Sequence, residues 1–144
     1  MGIQEYFKDG FLISTDKGKL QLEEIYAFLS RSYWAENRSI EKVALSLQHS
    51  LCFGVYKDHK EIGLARVVSD YSTFAYLCDV YILEEYQHRG LGKWLMSIVM
   101  SHPDLQGIRL WSLLTRDAHG LYRRFGFTEL NFPERWMQIL NPFC

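Results

Sequence analysis

Neither sign of charge dominates this chain. Lys and Arg number 16 against 17 Asp and Glu, a formal net charge of −1 over 144 residues. That balance gives no support to a nucleic-acid or other polyanionic partner. Cysteine is scarce: Cys52, Cys78 and Cys144 are an odd number, widely spaced, with no CxxC pair. Such usage fits a reduced, cytoplasmic setting, with cysteine acting as a small core residue. The five histidines show no HExxH or Cys/His ligand spacing, so no metal site is expected. No apolar run approaches the roughly 18 residues of a membrane span, and no charged-then-apolar leader opens the sequence. Met1-Gly2 starts like a myristoylation signal, but Tyr6 stands where Ser or Thr is required. Repeats, low-complexity tracts and linkers are missing as well, so residues 1–144 are expected to form one domain with no membrane partner.

What is present is an ordinary apolar fraction, 48%, with an aromatic share of 15% that can line a pocket as well as a core. Residues 11–14 read as a first short strand. Leu22, Ile25, Tyr26 and Leu29 recur at helical spacing, and Ser39 can cap a second helix whose face is Ile40, Val43, Ala44 and Leu47. Three strands follow, over 50–56, 62–68 and 74–83, joined by polar turns at 57–60 and 70–73. A helix carries Leu91, Trp94, Leu95, Ile98 and Val99 and stops near His102-Pro103. A strand over 110–114 precedes a short helix with Ala118, Leu121, Tyr122 and Phe125 on one side and Gly126 as its stop. Residues 128–130 and 136–140 look like two closing strands around Pro133. The order β-α-α-β-β-β-α-β-α-β-β predicts an α+β fold, with a mostly antiparallel twisted sheet of about seven strands and four helices.

The most informative stretch is Gln87-His88-Arg89-Gly90-Leu91-Gly92, between the longest strand and a helix. Two glycines let the backbone approach a ligand without an intervening Cβ. The helix start offers unpaired N–H groups and a positive dipole end to a phosphate or pyrophosphate.

Gln87-x-x-Gly90-x-Gly92, placed after a strand and before a helix, resembles the signature of the GNAT superfamily of acyl-CoA-dependent N-acetyltransferases. Thr115-Arg116-Asp117-Ala118-His119-Gly120-Leu121-Tyr122-Arg123-Arg124-Phe125-Gly126-Phe127 resembles that family's second segment, Asn-x-x-Ala-x-x-Phe-Tyr-x-x-x-Gly-Phe. The element order extends the resemblance over nearly the whole chain, so the expected fold is GNAT-like. The first 70 residues carry little motif information.

The resemblance implies acetyl-CoA as the cofactor. Backbone N–H groups of His88, Arg89, Gly90, Leu91, Gly92 and Lys93 would hold its pyrophosphate, with Gln87 shaping the turn. Arg89 and Lys93 would add charge-assisted contacts. The pantetheine arm would enter where the strand ending at Ile82 and Leu83 splays from the strand at 110–114, pairing like an added strand. A family-type bulge there could aim an N–H at the thioester oxygen. Tyr122 matches the tyrosine that protonates the departing thiolate. Ala118 and Thr115 fall on cofactor positions, and Thr115 stands where the family often has Asn, with fewer hydrogen-bonding groups than an amide.

An alkylamine is mostly protonated at neutral pH, since a free lysine amine has a pKa of about 10.4, so some group must take a proton. Asp79, the one acidic residue inside the long strand, can be read two ways. It is a catalytic base if burial raises its pKa, or a structural ion pair with Arg66 across the hairpin. Glu84 and Glu85, His88 and His119 are lesser acid–base candidates. Tyr33, Trp34, Glu36, Tyr71 and Phe74 are the expected acceptor contacts, with Arg38 and Trp136 beside them. Rings and a carboxylate there would suit a cationic amine. The function expected is acetyl transfer to a small-molecule or peptide amine by a monomer or homodimer. The rival reading is a non-catalytic acyl-CoA sensor on the same fold. The C-terminal Asn141-Pro142-Phe143-Cys144 hints at packing against the body or a partner.

Overall fold

The computed structural model describes residues 2–141, so Pro142, Phe143 and Cys144 lie outside the described residues. Strand β1 (Glu5–Lys8) and strand β2 (Phe11–Ser14) form a hairpin with Lys8 opposite Phe11. Asp9 and Gly10 fill its two-residue turn at φ 51° and 83°. Both central residues need positive φ in such a turn, and Asp-Gly is a favoured pair for it. Helix α1 (Leu22–Leu29) buries Ile25 and Leu29 and carries Glu23 and Glu24 in its first turn, where the helix dipole favours acid. Helix α2 (Ile40–Gln48) starts as its sequence suggests: the Ser39 hydroxyl oxygen accepts from the Lys42 N–H at 3.2 Å.

Strands β3 (Leu51–Lys57), β4 (Lys60–Ser69) and β5 (Phe74–Ile82) form the centre of the sheet. Asp58 and His59 close the first of their hairpins at positive φ. Asp70 shapes the second by accepting from the N–H groups of Ser72, Thr73 and Phe74. Helix α3 (Leu91–Ser101), strand β6 (Leu110–Leu113) and helix α4 (His119–Arg123) complete the order. The sheet runs β1-β2-β3-β4-β5-β6, and every neighbouring pair is antiparallel except β5 and β6. Helix α1 packs on β4, and α3 on β3 and β5. The core is anchored by Ile13, Phe53, Ile62, Leu64, Leu95 and Met96, each without solvent exposure. Removing such side chains from water is the main source of stability.

The mixed α+β class and the four helices are as the sequence predicts, whereas the strands differ in two places. The sheet has six strands, not about seven, among the described residues. Residues 128–130 and 136–140 are not strands; Pro133–Arg135 is a short 3-10 turn between them. Met137 and Ile139 stand fully exposed, at 95% and 103%, so the apolar pattern there has no sheet face to fill. Conversely, β1 is a strand that the polar sequence Glu-Tyr-Phe-Lys conceals. The local signal for it is the Asp9-Gly10 turn.

Candidate functional site

The site is built where β5 and β6 part company. Their parallel pairing runs from Phe74 opposite Leu110 to Leu77 opposite Leu113, and it stops there. Beyond that point β5 continues through Cys78 to Ile82, while the other chain turns away at Leu114. The expected splay is therefore present, and it opens a cleft of about 630 Å³. One wall is β5 from Tyr76 to Val80; the other is the segment from Leu113 to Ala118, with Tyr122 behind it. Tyr33, Trp34 and Arg38 roof the cleft from the α1–α2 connector, and Leu140 reaches its margin.

The β5 wall is not a regular strand. Leu64 pairs with Tyr81 and Arg66 with Cys78, so two steps on β4 face three on β5. The extra residue is accommodated around Asp79, whose φ is 53°. A bulge of this kind turns main-chain groups out of the ladder and re-aims side chains. It brings the Asp79 carboxylate, 4% exposed as a residue, into a cage of donors. The Trp34 indole N–H donates to Oδ1 at 2.9 Å, and Arg38 Nη1 donates to both oxygens at 2.9 and 2.8 Å. Arg66 Nε donates to Oδ2 at 2.8 Å, and Arg66 Nη1 donates to the Ser50 hydroxyl at 3.0 Å. Burial pushes the Asp79 carboxyl up, but Arg66 and Arg38 outweigh it and hold the group below the ordinary carboxylate range. Of the two roles open to Asp79, the pairing with Arg66 is the one this geometry displays, and Arg38 adds a second cation.

Tyr122 lies at the junction of the walls, 8% exposed, on the one turn and a half of α4. Burial pushes its hydroxyl up to about 12, with Tyr33 and Asp117 nearby in the same direction. It is therefore fully protonated at neutral pH, as a proton donor must be. Thr115 Oγ1 accepts from the Ala118 N–H at 3.0 Å, fixing the start of α4. Its own hydroxyl proton stays available to a ligand. The Tyr33 hydroxyl accepts from the Arg116 N–H at 3.1 Å, and the Arg116 guanidinium lies 3.9 Å over the Tyr33 ring.

At the end of β5 the glycine turn takes the expected form. Gln87 Nε2 donates to the Ile82 carbonyl at 2.8 Å, closing the strand end. His88 and Gly90 both hold positive φ, 65° and 80°. Gly90 is the N-cap of α3; no side chain caps the helix and no acid lies in its first turn. Trp94 donates back to the Gly90 carbonyl, so the N–H groups ahead of it have no intrahelical acceptor. A Cβ added at Gly90 or Gly92 would meet nothing within 4 Å. These donors, with exposed Arg89 and Lys93 beside them, fit a pyrophosphate. Ile82 and Leu83 are held by main-chain bonds inside the protein: Ile82 O accepts from Gln87, Leu83 N donates to Ile62 O at 2.8 Å, and Leu83 O accepts from the Tyr86 N–H at 2.9 Å. Val80, two residues earlier, is the cleft-lining position nearest that turn.

Of the acceptor contacts expected from sequence, Tyr33 and Trp34 line the cleft together with Arg38. Glu36 is exposed on the connector, and Tyr71 and Phe74 are not among the lining residues. The cleft opens only where β5 and β6 part: Phe74 still pairs with Leu110 at the closed end of the two strands, and Tyr71 lies before β5 begins. Trp136 is likewise outside the lining. Tyr76 and Cys78 are lining residues that sequence reasoning missed. The signal for them was parity: they alternate with the buried Ala75, Leu77 and Asp79 along β5. Burial pushes the Cys78 thiol up to about 11, so it is a neutral thiol there, not a nucleophile.

A family model of the acetyltransferase (GNAT) domain matches residues 48–129, from the end of α2 through α4. A candidate acetyltransferase of Gibberella zeae is 33% identical over 142 residues, spanning 83% of this chain and 79% of the relative. A crystal structure of a candidate GNAT-family acetyltransferase from Xanthomonas campestris pv. campestris superposes with TM-score 0.89 at 47% identity, covering 92% of this chain and 94% of the other. The fold is shared more distantly, at 15% identity and TM-score 0.63, with a GNAT acetyltransferase of Elizabethkingia anophelis that holds acetyl-CoA; 94% of this chain and 92% of that one are covered. With the splayed strands, the uncapped glycine turn and both sequence motifs in place, the chain belongs to the GNAT acetyltransferase family.

Proposed function

We propose that the protein transfers an acetyl group from acetyl-CoA to a primary amine within the cleft between β5 and β6. The observation that carries this reading is the placement of buried, protonated Tyr122 at the join of two splayed strands whose other end leads to an uncapped helix start. Acetyl-CoA supplies the activated acetyl thioester. N–H groups from His88 to Lys93 bind its pyrophosphate, and the Val80 N–H at the bulge is the donor for the carbonyl oxygen. The Tyr122 hydroxyl gives its proton to the departing sulfur.

Asp79 is a poor base for the incoming amine. It accepts from three donors, two of them cationic, and its pKa is held low. We therefore read it as the residue that fixes Arg38 and Trp34, while the amine proton leaves through water in the open cleft. Two measurements test the proposal. Acetyl-CoA should raise Tm, because a ligand that binds only the folded state stabilises it by mass action. CoA release should then be seen with at least one of a panel of small amines and peptides. No Tm shift at saturating acetyl-CoA would remove cofactor binding, and binding without turnover on any amine would favour a sensor.

A further inference from the structure

The roof of the cleft carries more positive charge than the Asp79 cage consumes. Asp79 is one carboxylate between two guanidinium groups, and Arg66 alone is enough to neutralise it. Arg66 is committed on both sides, to Asp79 and to Ser50, with its side chain 11% exposed. Arg38 is not. Its Nη1 serves Asp79, while Nη2 and Nε make no hydrogen bond to any described residue, and the side chain is 22% exposed along the cleft. Arg116 faces the same space from the opposite wall, stacked on Tyr33, with no carboxylate bound to it among the described residues. The lone cleft acid outside the cage, Asp117, acts on Tyr122 at the reacting end. Glu36, the other carboxylate expected to greet a cationic acceptor, is not among the lining residues.

A guanidinium held rigidly through one nitrogen, with its remaining donors turned to a pocket, is preorganised for a planar anion. Carboxylate matches this fork with two parallel N–H···O bonds. Resting on the acetyl-transfer reading above, we infer that the acceptor is an amine that also bears a carboxylate, an amino-acid-like molecule. Its carboxylate is bound by Arg38 with help from Arg116, and its amine points toward Tyr122. Asp79 is then a positioning residue, since it holds the Arg38 fork in place and touches no substrate.

Matched acceptors test this: phenylalanine against phenethylamine, β-alanine against propylamine, and O-phosphoethanolamine against ethanolamine. A charged hydrogen bond of this kind corresponds to about 10–100-fold in affinity. Each carboxylate member should therefore exceed its partner by that factor in kcat/KM, mainly through KM. The Arg38→Gln variant should bring the ratio close to one while still showing the acetyl-CoA Tm shift. Arg38→Lys should restore part of the ratio. Equal or reversed preference overturns the inference, and a preference confined to the phosphate pair overturns the carboxylate in favour of a phosphorylated amine. If Arg38→Gln does not fold, Arg116→Gln, at an exposed position, should lower the ratio by a smaller factor. A binding arm stands apart from turnover. Titration of the CoA complex with N-acetylphenylalanine and N-acetylphenethylamine should favour the acid by the same factor. Equal binding overturns the carboxylate site even if acetyl transfer is observed; tighter acid binding without any turnover supports the site while removing the transferase reading.

Discussion

The bulge within β5 and the turn that follows the strand meet charge in opposite ways. At the α3 start, donors are main-chain N–H groups from consecutive residues, with no acid in the first turn and no capping side chain. At the β5 bulge, one carboxylate is enclosed by side chains from positions 34, 38 and 66. The first is an unsatisfied positive end open to an anion from outside. The second is an anion already satisfied from inside, and its two guanidinium partners leave one positive charge in excess, with Arg38 lining the cleft. A helix terminus can be left exposed because water serves its N–H groups until a ligand arrives. A buried carboxylate has no such alternative and must find its partners in the fold.

Breaking the cage around Asp79 should have the larger effect. Asp79→Ala leaves Arg66 buried without its counter-charge, and removing one member of a buried pair typically costs about 3–5 kcal/mol. Chemical denaturation should show that loss; a change below about 1 kcal/mol would mean the cage adds little. Next comes Tyr122. Tyr122→Phe should lower kcat by about 100-fold or more, the scale of a general acid, with the acetyl-CoA Tm shift preserved. Wild-type turnover in that variant would take Tyr122 out of the mechanism.

Damage to the glycine turn should read out differently. Gly90→Val forces a β-branched residue to φ 80°, a cost of about 1–2 kcal/mol before any ligand is considered. Its main signature should be a raised KM for acetyl-CoA, with acceptor preference unchanged. Altered acceptor preference would show that the two regions are coupled.

Glu61 supplies the contrast that sharpens the role of the Asp79 cations. It is 1% exposed and makes no ion pair among the described residues; Oε1 accepts from the Gln21 N–H at 2.8 Å, and Oε2 has no partner among them. Burial pushes its carboxyl up to about 8, against the partial offset of the Gln21 N–H. A carboxyl raised in the folded state stabilises while protonated and loses that contribution as pH climbs. Stability should thus fall as pH rises from the ordinary 4.5 of a glutamate to about 8. Glu61→Gln should flatten that decline, by on the order of 1–2 kcal/mol at pH 8. For Asp79, held low, the sign is reversed, and its contribution is lost only as pH falls below the usual carboxylate range. The smallest effect expected is on rate. Without a dedicated base, kcat/KM should rise steadily with pH from 7 to 9, as the neutral amine becomes more abundant. A plateau near pH 7 would mean that a cleft residue takes the proton.

What could be read from sequence was local. The glycine turn is spelled by Gln87, Gly90 and Gly92 because its N–H groups belong to the backbone of one short segment, and a glycine needs no distant partner to adopt positive φ. Tyr122 was legible for a similar reason, as its motif also sets the Gly126 stop. Helix and strand periods placed α1 to α4 and β2 to β6 within a residue or two. The errors came where local pattern and tertiary need diverge. Residues 136–140 have the composition of a strand but no neighbour to pair with, while β1 has a neighbour and little apolar composition.

The sequence by itself determined the family and the form of the glycine turn, and it singled out Tyr122 as the candidate proton donor, since each rests on contiguous residues. Only the tertiary structure decided what surrounds Asp79. Whether Asp79 is a base or a clamp depends on how many cations surround it. Those cations come from Arg38 and Arg66, 41 and 13 residues away along the chain. Separations of that kind become contacts only when a connector folds over a sheet, and no window of sequence contains them.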